Sequence, residues 1–269
     1  MKRFFSVIFL FFAVFSVFNF LNTKQQNYSF AKASAPKLAI VIDDFGSFDE
    51  SGIDTILKST VPLTCAVLPH TDNTQKHLEL LKNTHHEIIL HMPMQSHVSL
   101  PEGWYGPVYI KNTDTPETAI NKIQSALSTF PEIKGFNIHI GSGVSQNKTL
   151  MTAIYNFAKL HNLYFLDSRT IETKTTADAS KDTNSIYLGR DVFLEADKNR
   201  SYAGVIFRLQ QSIESAKEKG YAIAIGHVGA EGGENTAKAI LDMIPKIKNQ
   251  GVEVVPLSQI YEELKTRTA

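Results

Sequence analysis

The sequence predicts an α/β protein in which a parallel sheet wraps into a closed or nearly closed barrel, a single domain in size. Short apolar runs alternate with longer amphipathic segments from Pro36 to the C-terminus. The runs are apolar almost throughout, as befits strands covered on both faces, rather than at every second position. Polar residues with chemical potential follow many different runs, and a barrel gathers its chemistry at the C-terminal ends of its strands.

The first strand is read at Leu38–Ile42, apolar until Asp43-Asp44, with a helix after it at Glu50–Lys58. Leu63–Leu68 and Glu87–Leu90 are the next strands, separated by a helix at Asn73–Lys82. A helix at Pro116–Thr129 opens with Thr115 as N-cap and Pro116 at the first helical position, and strand Gly135–Ile140 follows it. Helix Asn147–His161 leads to strand Leu163–Leu166, and Ser185–Leu188 is the sixth strand. Helix Tyr202–Lys219 stops at Gly220, before strand Ala222–Ile225, and helix Asn235–Lys248 stops near Gly251, before strand Val252–Val255. A helix at Gln259–Lys265 ends the chain. The stretches 95–114 and 170–184 read as surface loops, long enough in a compact domain to carry function.

Composition narrows the function. The 269 residues hold 27 Lys+Arg against 27 Asp+Glu, and all four bases of residues 1–33 stand without an acid, so the remainder carries a net charge of −4. No nucleic-acid partner is expected on electrostatic grounds. A hydrophobic fraction of 43% with 20% charged residues excludes both disorder and a multispan membrane protein. At the N-terminus, Lys2-Arg3 precedes an uncharged apolar run from Phe4 to Phe20, and small residues recur at Ala31, Ala33 and Ala35. Residues 1–33 therefore read as a signal peptide or an N-terminal anchor, leaving 34–269 as the domain. An exported protein, extracellular or envelope-associated, is expected, touching a membrane only through that segment. Cys65 has no partner for an internal disulfide and reads as a small buried hydrophobe.

The residues at the strand ends carry the chemistry. Asp43-Asp44, His91, Asn137 and His139, Asp167-Ser168-Arg169, Arg190-Asp191 and His227 follow or close six different runs. Two imidazoles and a carboxylate from separate strands suit a divalent cation such as zinc, with positions left open for water and substrate. A second carboxylate could take the proton of that water and a further histidine could protonate a leaving group. Metal-assisted hydrolysis is the chemistry this inventory suggests. Asp43 and Asp44 would point to opposite sides of a regular strand, so the reading requires a bend there, for which Gly46 gives room. The histidines at 70, 77, 85, 86, 97 and 161 read as ordinary core or surface residues, His70 being nearest the predicted face.

Six segments together resemble a known family: Ile42-Asp43-Asp44-Phe45-Gly46; His86 to Met94 around His91; Asn137-Ile138-His139-Ile140-Gly141-Ser142; Phe165-Leu166-Asp167-Ser168-Arg169-Thr170; Arg190-Asp191-Val192-Phe193-Leu194; and Ile223-Ala224-Ile225-Gly226-His227. Their order is similar to that of the divergent polysaccharide deacetylases, a branch of the superfamily that removes acetyl groups from chitin, peptidoglycan and xylan. The resemblance implies a distorted (β/α)7 barrel with parallel strands, one divalent metal, commonly zinc, and a carbohydrate or polysaccharide substrate. It implies Asp43 as general base, Asp44 and His91 as metal ligands, and His227 as general acid. The second histidine of the superfamily's metal motif would fall at Gln95, a poor zinc ligand, and His139 of the divergent branch is its natural replacement. Arg169, Asp167, Arg190 and Asp191 are supporting candidates, since an arginine steadies the base and a carboxylate orients the acid in the superfamily. Trp104 and Tyr105 are candidates for a sugar-stacking platform. The alternative function is a non-catalytic envelope protein that keeps the barrel and binds carbohydrate.

Overall fold

The computed structural model describes residues 34–196 and 200–268; the expected leader or anchor at 1–33 lies outside the described residues. In chain order the elements are β1 (Lys37–Phe45), α1 (Ile53–Ile56), β2 (Thr64–Val67), α2 (Thr74–Lys82), β3 (Glu87–Met94), α3 (Pro116–Leu127), β4 (Gly135–Ile140), α4 (Lys148–Leu160), β5 (Tyr164–Asp167), α5 (Thr175–Asp182), β6 (Leu188–Gly189), β7 (Val192–Phe193), α6 (Tyr202–Lys219), β8 (Tyr221–His227), α7 (Gly233–Asn249), β9 (Glu253–Val254) and α8 (Leu257–Thr268). The strands pair in parallel in the order β6-β5-β4-β3-β2-β1-β8-β7, with β9 alongside the start of β1.

The sheet curls until its two ends nearly meet, giving the distorted barrel that the sequence predicted. Its edges are joined by one passing segment of chain. Arg190 N–H donates to the Asp167 carbonyl on β5 (3.0 Å), and Asp191 N–H donates to the Ile223 carbonyl on β8 (2.8 Å). The residues between β6 and β7 thus bond first to one edge and then to the other.

The period-two pleat sorts the side chains. On β1, Leu38, Ile40 and Ile42 face outward into a core shared with α1, α2, α6 and α7, whereas Ala39 and Val41 face inward. The inward set joins Ala66, Ile89, Leu166, Ile223 and Ile225 in the barrel interior, and Leu257 and Ile260 of α8 plug the lower end. A second outer core packs Phe136, Ile138 and Phe165 against α3, α4 and α5. Continuing the inward parity upward reaches Asp43 on β1, His91 on β3, Asn137 and His139 on β4 and His227 on β8. The lower layers of the interior are apolar and the top layer is ionisable.

Several sequence expectations change: the sixth strand is Leu188–Gly189 rather than Ser185–Leu188, and β7 falls where no strand was expected. The stretch 170–184 is not all loop, because α5 lies within it. Its buried residues are Thr176, Ala179 and Ser180, small side chains that pack against α4 without giving an apolar period to read. The helix expected at Glu50–Lys58 shrinks to the single turn of α1, which begins after Gly52 in a left-handed conformation (φ 87°). Thr115 does cap α3, accepting a hydrogen bond from Thr118 N–H at 3.2 Å.

Candidate active site

The site begins with a defect in β1. Ile42 pairs with Cys65 and Phe45 with Val67, so three steps on β1 oppose two on β2. This bulge is built on Asp44, a non-glycine residue in the left-handed region (φ 70°), and on Gly46 (φ 88°). Asp43 faces inward by pleat, and the left-handed step returns Asp44 to the same side. A fully buried His77 from α2 holds the turn: its Nδ1 accepts the Gly46 N–H at 2.6 Å. Its Nε2 therefore keeps the proton and lies 3.6 Å from Glu50 Oε1. Burial pushes the His77 pKa down, against the pull of Glu50, which favours the neutral ring that can accept. Thr71 Oγ1 donates to the Gly46 carbonyl at 2.5 Å, and Leu68 N–H donates to the Phe45 carbonyl at 2.7 Å.

Asp44 meets two histidines. Its Oδ1 lies 3.3 Å from His91 Nε2 and 3.2 Å from His139 Nδ1, and those two nitrogens are 3.1 Å apart. Among the described residues, these three side chains form a group able to hold a metal ion. A tetrahedral zinc with ligands at about 2.0–2.2 Å separates its donors by roughly 3.3–3.6 Å, so the triangle is close to one face of that tetrahedron.

The hydrogen bonds around the triangle decide what its atoms can do. Asp43 Oδ1 can only accept, so the Asn137 Nδ2 at 2.8 Å is the donor and the Asn137 Oδ1 faces His91. His91 Nδ1, 2.7 Å from that oxygen, must then carry the proton. In the same way His139 Nε2 donates to the Trp104 carbonyl at 3.1 Å. Both rings present bare nitrogen lone pairs to Asp44 Oδ1, which is itself buried without a well-aligned donor. Three lone pairs converging on one point need a positive charge between them. Without a metal, a proton serves: burial opposes it, but Asp43 and Asp44 raise the His91 pKa. Burial likewise opposes ionisation of Asp44, and its contacts with His139 and His91 hold its carboxyl well below the usual range.

His227 stands on the other flank, with Nε2 at 3.9 Å from Asp43 Oδ2. Its Nδ1 meets Glu195 Oε2 at 3.1 Å. Glu195 is 4% exposed, and its Oε1 accepts the His227 N–H at 2.9 Å and the Thr236 hydroxyl at 2.6 Å. Burial works against a charged His227, but the bond to Glu195 and the negative charges of Glu195, Asp44 and Asp43 raise its pKa to about 10.

Glu195 was absent from the sequence candidates, and it takes the place expected of Asp167 or Asp191. Asp167 is buried and spent on structure, accepting from Arg169 N–H (2.8 Å), Tyr187 Oη (2.9 Å) and Thr176 Oγ1. Asp191 binds Lys219 Nζ (2.6 Å) and Ile223 N–H (2.9 Å), four residues down β8 from His227. Arg169 and Arg190 do line the cleft beside Asp43. Arg190 is fixed by the Ser168 and Arg169 carbonyls at 2.6 and 2.7 Å, and the charge of Asp43 acts on it. Gln95 turns away, its Oε1 accepting the Asn112 N–H at 2.7 Å at the rim of a separate polar cleft. Tyr105 is 4% exposed and stacks on Tyr109, whereas Trp104 is 62% exposed. The whole arrangement opens into a cleft of about 460 Å³ lined by Asp43, Asp44, His91, His139 and His227.

Known proteins share this chain's sequence and fold. A family model described as divergent polysaccharide deacetylase matches residues 40–261. The uncharacterized protein YibQ of Escherichia coli is 32% identical over 197 residues, a match that covers 72% of this chain and 59% of that protein. The chain thus spans about three fifths of that relative's length. An uncharacterized protein of Agrobacterium tumefaciens shares the fold with a TM-score of 0.76 at 18% identity, covering 88% of this chain and 94% of its own. The catalytic domain of a peptidoglycan N-acetylglucosamine deacetylase from Eubacterium rectale shares it more loosely, with a TM-score of 0.50 at 12% identity over 84% of this chain and 92% of its own.

Two outcomes are expected from this geometry. In Glu195→Gln the amide can present only its NH2 to His227 Nδ1, so the imidazolium loses its partner and the pKa falls from about 10 toward the ordinary 6.5. The folded-state value lies above the unfolded one, so this pairing stabilises the wild type fully below pH 6.5 and ceases to as pH rises through about 10. Titration of the His227 ring protons by NMR, with stability followed over the same range, measures both; an unmoved ring pKa would rule out Glu195 as its partner. His77→Leu, which offers Gly46 no acceptor, should weaken any affinity of the Asp44, His91 and His139 group for a divalent cation by about 10- to 100-fold in chelator competition, while His77→Asn, with an oxygen near the place of Nδ1, retains most of it. Lower thermal stability with unchanged cation affinity in His77→Leu would show that the bulge holds without it.

Proposed function

The chain belongs to the divergent polysaccharide deacetylase family, and from that premise we propose that it is a metal-dependent hydrolase removing acetyl groups from a carbohydrate. The observation that supports this most is the convergence of Asp44 Oδ1, His91 Nε2 and His139 Nδ1 within 3.1–3.3 Å, with Asp43 and His227 beside them in one cleft. Two imidazoles and one carboxylate favour zinc. A divalent cation held by these three atoms would polarise the acetyl carbonyl and the attacking water.

The side chains supply the proton traffic. As water adds to the acetyl carbon, Asp43 accepts its proton; Asn137 occupies Oδ1, which leaves Oδ2 to face the reaction. The C–N or C–O bond then breaks, and His227 passes its Nε2 proton to the departing amine or alcohol, leaving acetate and a free amino or hydroxyl group. Glu195 on the opposite ring nitrogen keeps Nε2 aimed into the cleft. Arg169 and Arg190 add positive charge at the same wall. The proposed setting is the cell envelope or beyond, from the apolar run behind Lys2-Arg3.

Metal content and turnover test this reading together. The full chain should take up about one equivalent of zinc, His139→Ala should lose it, and Gln95→Ala should keep it. Asp43→Asn should keep the metal and lose about 10²- to 10⁴-fold in acetate release from acetylated oligosaccharides. Acetate release undiminished in Asp43→Asn, or no specific metal in the wild type, would overturn the proposal.

A further inference from the structure

Arg169 and Arg190 line the part of the cleft wall that lies between His139 on β4 and His227 on β8. Arg169 is exposed and Arg190 half-buried. Arg190 feels the negative charge of Asp43. The carboxylates that act on Arg169 are instead Asp167 and Asp191, both engaged by other groups. Among the described residues, no carboxylate forms an ion pair with either guanidinium, whereas Glu231, which lines the same cleft, is held by Arg200 at 3.0 Å.

Each of the two head groups is fixed by the backbone of the other. Arg169 Nη1 donates to the Arg190 carbonyl at 3.0 Å, and Arg190 Nη2 donates to the Arg169 carbonyl at 2.7 Å. Arg169 Nε also donates to the Tyr187 hydroxyl (3.2 Å), and Arg190 Nε to the Ser168 carbonyl (2.6 Å). Aromatic rings cover them: Arg169 lies over Tyr187 at 5.7 Å and Arg190 over Phe193 at 4.8 Å. The Arg169 backbone is left-handed (φ 48°), held there by Asp167 Oδ1, which accepts its N–H at 2.8 Å. Gly189 makes room for the head group, since a Cβ there would stand 2.8 Å from Arg169 Nε.

These bonds also brace the seam where the sheet closes, but bracing uses only part of each side chain. A guanidinium has five N–H donors, so both arginines keep donors to spare. Two like charges are thereby held side by side. Burial pushes the Arg190 pKa down, Asp43 pulls it up, and the Arg169 charge pushes it down again. An anion set against both head groups relieves that repulsion, and guanidinium edges suit oxyanions through paired N–H···O bonds. Asp43 does not fill this place, because its Oδ1 accepts from Asn137 and its Oδ2 lies toward His227.

We propose that Arg169 and Arg190 form an anion subsite, and that it takes a carboxylate or phosphate carried by the substrate beside the acetyl group. The preferred substrate is then an acidic molecule rather than a neutral one. The subsite stands on the two arginines alone; that its anion belongs to the substrate rests on the deacetylase reading. Residues 34–269 carry a net charge of −4, so attraction for such a substrate is local to this wall.

Binding reads the subsite without turnover. The full chain, without added metal, would be titrated by NMR with N-acetylglucosamine, its lactyl ether N-acetylmuramic acid and its 6-phosphate, which share the acetamido group and differ in the anion. Expected is at least about tenfold tighter binding of one acid than of the neutral sugar, with the preference shrinking as ionic strength rises. The acid that wins assigns the anion as carboxylate or phosphate. Arg169→Met should lose most of the preference, and Arg169→Lys, which keeps the charge but not the fork, should keep only part of it. A role confined to bracing would lower the melting temperature of Arg169→Met and leave the ratio of acid to neutral affinity unmoved, which overturns the proposal. Equal affinities for all three sugars in the wild type overturn it without any variant. Acetate or inorganic phosphate binding as tightly as the sugar acids would make this a site for a free anion and overturn the substrate assignment. Acetate release from the same sugars after zinc is supplied is followed separately. A sugar acid bound through Arg169 with no acetate released upholds the subsite and counts against the deacetylase reading, whereas acetate released without regard to the anion overturns the substrate assignment and leaves the deacetylase.

Discussion

Neighbouring residues of a strand face opposite sides, yet this cleft needs Asp43 and Asp44 on the same side, and the site is built around that contradiction. β1 resolves it with one residue in the left-handed region at Asp44, a conformation that costs a non-glycine residue of the order of 1–3 kcal/mol. Such a step persists only where its surroundings leave the chain no alternative. Here the surroundings are explicit. His77 takes the Gly46 N–H, Thr71 takes the Gly46 carbonyl, and the Leu68 N–H takes the Phe45 carbonyl. Gly46 itself admits no side chain, since a Cβ would stand 2.9 Å from the Leu68 carbonyl oxygen. The strain at Asp44 is thus offset by hydrogen bonds lying outside the cleft, from α2 and the residues between β2 and α2.

Once Asp44 is turned inward, the remaining protons are fixed in sequence. Asp43 orients the Asn137 amide, Asn137 places the proton on His91 Nδ1, and His91 is left with a free lone pair toward Asp44. The same carboxylate therefore sits beside the proposed proton-accepting step and also sets the tautomer of a proposed ligand. The two roles use different oxygens: Oδ1 is committed to Asn137, and Oδ2 lies toward His227. His227 is governed from the other wall by Glu195, so His227 and Asp43 are held by separate neighbours. A cation near Asp44 would cancel part of the negative charge that raises the His227 pKa, bringing it closer to the range in which a proton is readily given up.

The pleat explains how much of this was legible in the sequence. Ala39, Val41 and Asp43 share a parity, as do Ile89 with His91, Asn137 with His139, and Ile223, Ile225 and His227, so on these four strands the polar residue belongs to the inward top layer, whereas Asp167 shares the outward parity of Phe165 and meets Thr176 of α5. Asp44 breaks parity; its role came from the family resemblance, and that reading then required the chain to bend there. Glu195 was missed for a more instructive reason. Val192-Phe193-Leu194 is an apolar run that ends in a carboxylate, like the others, but β7 is two residues long and shows no period. Asp191 precedes that run and so lies at the wrong end of the strand to meet His227, whereas Glu195 comes directly after it. His77 gave no signal at all, since a buried histidine on α2 looks the same in sequence whether it fills space or holds a backbone turn.

The placement of the second histidine ties these features together. Had that ligand followed β3 at position 95, it would belong to the loop that runs to residue 114; there Gln95 instead fastens the loop to itself through Asn112. His139 stands within β4, two residues beyond Asn137 on the same face, so one strand carries both the amide that orients His91 and the imidazole that completes the triangle. A paired strand holds such a spacing more rigidly than a loop can. The second nitrogen of His139 then remains available, and it is given to the loop through the Trp104 carbonyl. With His139 on a strand, the loop supplies no member of the triangle and instead leans on one through the Trp104 carbonyl, and its exposed Trp104 is the part of that surface turned to solvent.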